Sequence, residues 1–130
     1  MHESSAAVGW TGNRTIDRTQ EAGGMGLGYN GGKLLFLAIG ACYTNDIFRE
    51  ASKRGINVKS VDVDVEGDWG GDPVRAQNVM FSPNVEADAS EEEITELIRH
   101  TDRVAEIHNS LRMGTPVTLT DAKALKANKH

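Results

Sequence analysis

Cys42 is the single cysteine among 130 residues, and its thiol is the natural nucleophile of this chain. Asp46 and Arg49 follow it at i+4 and i+7, so on a helix the three side chains share a face over two turns. Sulfur attacks as thiolate. Arg49 would favour that form, whereas Asp46 would oppose it by like charge. Free cysteines are also among the most buried residue types, so a packing role is the alternative that composition supplies. With one cysteine no internal disulfide can close, and a reducing compartment, the cytoplasm, is the expected setting.

The remaining chemistry-bearing residues sort by context. His2 and His130 lie at the ends of the chain, and His100 is expected on the exposed side of its helix. His108 continues an apolar stripe and is expected to be buried and hydrogen-bonded. No HExxH or CxxC spacing occurs, so no zinc site is expected. Gly26, Gly28 and Gly31, in GLGYNG, match the dinucleotide fingerprint, and a helix follows as that motif demands. The polar stretch before it is not a buried strand, and no acid closes a second strand where the ribose would sit. Neither a nucleotide nor any other cofactor is therefore expected. Asp62, Asp64 and Glu66 fall on one face of a strand, where solvation explains them without a metal or a carboxylate pair.

The elements that must hold these residues follow from periodicity. Ala6, Val8 and Trp10 alternate as a short strand, and residues 11–20 have room for another. Six of the ten residues in 23–32 are glycine, a loop by composition. Residues 33–54 lack proline, and Leu34, Leu35, Phe36, Leu37, Ala38, Ile39 and Ala41 surround a helix on every side, which predicts complete burial of its first half. Asn45, Arg49, Glu50 and Lys53 form its polar face, and Gly55 is placed to cap its end. Val61, Val63 and Val65 alternate with acids, a turn spans 67–73, and Val79, Phe81, Val85 and Ala87 keep the period across Pro83, which together predict an antiparallel hairpin. Ser90 and Glu93 read as a capping box for a second helix. Its inner face is Ile94, Leu97, Ile98, Thr101, Ala105 and His108, with Gly114 and Pro116 as the stop. Val117 and Leu119 make a last short strand before a polar tail, 121–130.

The sum is a single α+β domain over 1–130: an N-terminal strand region 1–22, a glycine-rich loop 23–32, a core 33–120 and the tail. Net charge is −5, from 14 Lys+Arg against 19 Asp+Glu, and no basic stripe is present, which argues against nucleic acid. The longest apolar run, residues 34–39, is far shorter than the roughly 20 residues a membrane span needs, and MHESSAAVGW is not a leader pattern, so a soluble protein without a membrane partner is expected. A helix this apolar exceeds what one small subunit can cover, which predicts a homodimer.

The stretch from Gly31 to Asp68, GGKLLFLAIGACYTNDIFREASKRGINVKSVDVDVEGD, resembles the core of the OsmC/Ohr family of osmotically induced and organic-hydroperoxide-resistance proteins. The family's L-L-x-A-x-x-x-C helix corresponds to Leu34 or Leu35 through Ala38 to Cys42, followed by Gly55, Ile56 and Val58. AEIHNSL and GTPVTL are similar to its C-P-V-H/S-x-x-L segment and closing strand. The likeness covers about residues 26–120. It implies an intertwined homodimer with a long buried central helix, a second helix and antiparallel strands.

The resemblance also implies thiol peroxidase chemistry, with Cys42 in the peroxidatic position. Family enzymes add a resolving cysteine, an N-terminal arginine and, in one branch, a glutamate. Ala105 stands where the resolving cysteine belongs, Glu106 where its proline belongs and Gly32 where the glutamate belongs. Arg14 or Arg18 could supply the arginine, and His108 or Arg49 could also stabilise the thiolate. Two readings lead: a one-cysteine peroxidase acting on organic hydroperoxides with an external thiol reductant, and a non-catalytic dimer that binds a small apolar ligand in the vacated pocket.

Overall fold

The computed structural model describes residues 2–9 as backbone and residues 31–128 in full. Arg14, Arg18, Trp10, the stretch 11–20 and most of the glycine-rich loop lie outside the described residues. Strand β1 (His2–Gly9), helix α1 (Gly31–Lys53), strands β2 (Asn57–Gly70) and β3 (Arg75–Asp88), and helices α2 (Glu91–Val104) and α3 (Glu106–Arg112) follow in chain order. This is an α+β arrangement, with a three-stranded antiparallel sheet in the order β1-β2-β3.

The period-two pattern of β2 builds the core directly. Val61, Val63 and Val65 are buried, whereas Asp62, Asp64 and Glu66 point to solvent on the opposite face. Against the valines lies the i, i+3, i+7 stripe of α1, with Phe36, Ile39, Tyr43, Ile47 and Ala51, joined by Leu97 of α2. Pro83 pairs with Val63 on β3, an edge strand of the described sheet, the kind of strand in which proline is tolerated. The strands run further than the sequence suggests. Trp69 stays in the ladder between His2 and Ala76, so the turn contracts to residues 71–74.

The end of α1 is a Schellman cap. Gly55 adopts φ +67°, its N–H donates to the Ser52 carbonyl, and the Ile56 N–H donates to that of Ala51 at 2.9 Å. At the start of α2, Ser90 Oγ accepts the Glu93 N–H at 3.1 Å, as the capping signature predicts.

Four expectations are corrected. The first half of α1 is not covered on all sides: Leu34 is 39% exposed and Ala41 also faces solvent, because the sheet and α2 cover one flank only. The second helix is not continuous. It breaks at Ala105, which takes an extended ψ of 115°, and restarts as α3. Side chains of α3 hold the break: Asn109 Nδ2 donates to the Arg103 carbonyl at 2.9 Å, and Arg112 donates to the carbonyl and the carboxylate of Asp102. The closing strand is absent among the described residues. Val117 and Leu119 are 98% and 83% exposed, since a strand needs a neighbour for its backbone and no described strand pairs with them. Finally, Glu50 and His100 leave the faces assigned to them and meet between the helices, His100 Nε2 lying 2.7 Å from Glu50 Oε1.

Candidate functional site

Helix α1 carries Cys42 half-buried, one turn along from Ile39 and facing the start of α3. Its thiol donates to Asp46 Oδ2 at 3.5 Å, the i+4 contact that helical spacing dictates. Burial pushes the thiol pKa above its ordinary value, and the Asp46 carboxylate pushes the same way. The nearby backbone of Ile107 and, to a smaller extent, Glu106 pulls the other way. That backbone lies near Cys42 because the chain turns at Ala105. Ala105 itself is buried at the turn between α2 and α3.

Arg49 does not pair with the sulfur. Its guanidinium lies 3.1 Å from Asp46, 2.9 Å from Glu50 and 3.5 Å from Glu106. Asp46 therefore stands between the cation and the thiol as shared partner of both. Glu50 accepts from Arg49, His100 and Lys53, and the first two of these bonds, Arg49 foremost, bring its pKa down to about 2.

His108 is buried, as the stripe predicts, but without the expected hydrogen bond: neither ring nitrogen has a partner among the described residues. It makes none to Cys42. Its neighbours are rings, Phe81 edge-on at 4.5 Å between centroids and Tyr43 at 5.8 Å. Burial, reinforced by the charge of Arg112, lowers its pKa and keeps the imidazole neutral at pH 7. His108 lines a cleft of about 350 Å³ with Leu35, Ile39, Val79, Phe81 and Leu111. The sequence pointed to His108 through its place on the stripe. It gave no sign of the cleft, whose far wall comes from β3.

At Gly32, which the resemblance aligns with the glutamate, any side chain would require Trp69 to shift. A Cβ built there would come 2.7 Å from the Trp69 indole, which stacks on Phe36 at 6.0 Å. Among the described residues, no group of three or more His, Cys, Asp or Glu side chains could hold a metal ion. No described helix is long and apolar enough to cross a membrane.

Comparison with known proteins supplies the rest. The family model described as OsmC-like protein matches residues 23–120. Among solved structures, the crystal structure of an OsmC-like hydroperoxide resistance protein from Jannaschia sp. CCS1 aligns with a TM-score of 0.53. The two are 15% identical, and the alignment covers 75% of this chain and 68% of that one, a likeness of fold alone. No curated protein matches the sequence.

Proposed function

The chain belongs to the OsmC-like protein family, and from that premise we propose that it reduces organic hydroperoxides as a one-cysteine, thiol-dependent peroxidase with Cys42 as the reacting sulfur. The observation that carries this reading is the seat of the single cysteine, half-buried on α1 inside the region that matches the family, with the backbone of Ile107 and Glu106 lowering its pKa against burial. Backbone N–H groups near a sulfur stabilise a thiolate, and later the sulfenate oxygen, without a titrating partner.

In the arrangement described, the thiol is protonated and Asp46 receives it. Activation needs a cation at the sulfur. Arg14 or Arg18 supplies it from the N-terminal region, or Arg49 swings from Asp46. The thiolate attacks the outer oxygen of ROOH, the O–O bond breaks, and the alkoxide takes a proton to leave as ROH. Cys42 is then a sulfenic acid. Ala105 offers no sulfur to resolve it, so an external thiol condenses with the sulfenate, releasing water, and a second thiol frees Cys42 as the mixed disulfide is reduced.

The working unit is a homodimer in which a second copy covers the exposed flank of α1 at Leu34 and Ala41. A reducing, cytoplasmic setting suits a sulfur that depends on outside thiols.

Mass spectrometry of the intact protein after one equivalent of cumene hydroperoxide tests the proposal. Sulfenate or a thiol adduct at Cys42, with turnover that requires added dithiol and disappears in Cys42→Ser, supports it. A Cys42 that survives excess peroxide unmodified and alkylates only after unfolding overturns it.

A further inference from the structure

Asp46 is 3% exposed, and its two carboxylate oxygens have different partners: Oδ1 lies 3.1 Å from the Arg49 guanidinium, and Oδ2 accepts the Cys42 thiol at 3.5 Å. A fixed negative charge beside the sulfur opposes the thiolate that attacks a peroxide, so by charge alone this acid works against the reaction. The contact gains a use if the acid also carries the proton. Resting on the peroxidase reading above, we propose that Asp46 is the proton relay of the reaction: it takes the proton of the Cys42 thiol and passes it to the oxygen that leaves the hydroperoxide.

The step balances without a further reagent. The Cys42 S–H bond breaks as its proton moves to Asp46 Oδ2, and the sulfur electron pair forms a bond to the outer oxygen of ROOH. The O–O bond breaks with its electrons on the inner oxygen, which takes the proton from Asp46, directly or through one water, and leaves as ROH. Cys42, oxidised by two electrons, keeps the outer oxygen as S–OH, and Asp46 returns to its carboxylate. Delivery of the proton matters because an alkoxide is a poor leaving group. A positioned acid–base group contributes about 10²–10⁴-fold to such a step.

The neighbouring groups do not offer this. The Arg49 guanidinium stays protonated and has no acceptor, and it is divided among Asp46, Glu50 and Glu106. Lys53 and His100 turn to Glu50. His108 makes no hydrogen bond to Cys42, and its ring meets Phe81 and Tyr43. Among the described residues, Asp46 is thus the side chain that hydrogen-bonds to the sulfur. The i, i+4 spacing along α1 fixes that contact, and the i, i+3 pair with Arg49 holds the carboxylate in place. Burial of Asp46 limits the leakage of its proton to bulk water.

Two peroxides test the relay. Cumene hydroperoxide leaves an alkoxide that needs a proton, whereas peroxybenzoic acid leaves a carboxylate that needs none. Sulfenate formation at Cys42 is timed by quenched flow and intact mass at pH 6.5, in the native protein and in Asp46→Asn. Removing the charge raises the thiolate fraction, so the variant should react with the peroxy acid at least as fast as the native protein does. With cumene hydroperoxide it should react about a hundredfold more slowly. On the native protein alone, the preference for the peroxy acid over cumene hydroperoxide should be about a hundredfold smaller than that of free 2-mercaptoethanol, a comparison that stands whether or not the variant folds. A cumene hydroperoxide rate that rises in Asp46→Asn, one that falls in step with the peroxy-acid rate, or a native preference equal to that of the free thiol overturns the relay and leaves the peroxidase reading standing. A native protein that forms sulfenate with neither peroxide overturns both.

Discussion

Glu50 of α1 and His100 of α2, distant in sequence, approach to 2.7 Å and tie the two helices together at a buried carboxylate. Arg49 and Lys53 complete the shell around Glu50. Its folded pKa of about 2 lies below the ordinary 4.5, so the ionised form is the one the fold favours. The stabilisation is complete above pH 4.5 and is lost as pH falls toward 2. Thermal melts across that interval should show a steep acid limb, which Glu50→Gln flattens. An unchanged limb in the variant would remove Glu50 as its cause.

The neutral His108 has the same proton preference, for the deprotonated form, although in this case that form is the uncharged one. Its pKa is lowered from 6.5, so the unfolded chain takes up a proton before the folded one does. Stability from this group is full above pH 6.5 and declines below it until the folded pKa is passed. Denaturant midpoints compared at pH 7.5 and 5.5 should fall less in His108→Phe than in the native chain.

At Cys42 the signs are set by burial and by Asp46. The rate of alkylation by iodoacetamide should rise with pH to a midpoint above the ordinary 9.0 in the isolated protein, and Asp46→Asn should move that midpoint down. A midpoint near neutrality would mean that a cation already reaches the sulfur.

Much of this site could be read in advance, and the exceptions share a cause. The α1 stripe, the β2 alternation, the cap at Gly55 and the i+4 opposition of Asp46 to Cys42 are local patterns, fixed by helix and strand periods. The break at Ala105 is different, because no glycine or proline marks it. It depends on Asn109 and Arg112 reaching back to carbonyls of the preceding helix, a contact that no single-helix period encodes. The meeting of His100 with Glu50 escapes the helical pattern for the same reason. A helical wheel gives the face, and only packing decides which neighbour meets it.

Gly32→Ala sets two effects against each other. Alanine in place of glycine inside a helix gains about 0.5–1 kcal/mol. Its methyl would press on the Trp69 indole at 2.7 Å, and overpacking costs about 1–3 kcal/mol. The net change should be destabilising in urea titrations and should reverse in a Trp69→Leu background.

Tyr43→Phe removes the hydroxyl that donates to the Ile98 carbonyl at 2.7 Å and leaves the ring contacts intact. The expected loss is about 1–2 kcal/mol by urea titration, a net hydrogen bond plus an acceptor left short of a partner.

The outward row of Asp62, Asp64 and Glu66 reaches beyond solubility. Two copies approaching sheet to sheet would bring like-charged rows together, and the repulsion acts over about 8–10 Å at physiological ionic strength. Encounters are thereby steered toward the helical side, so orientation in a crowded solution is biased before any contact forms. Raising the salt concentration should weaken that bias.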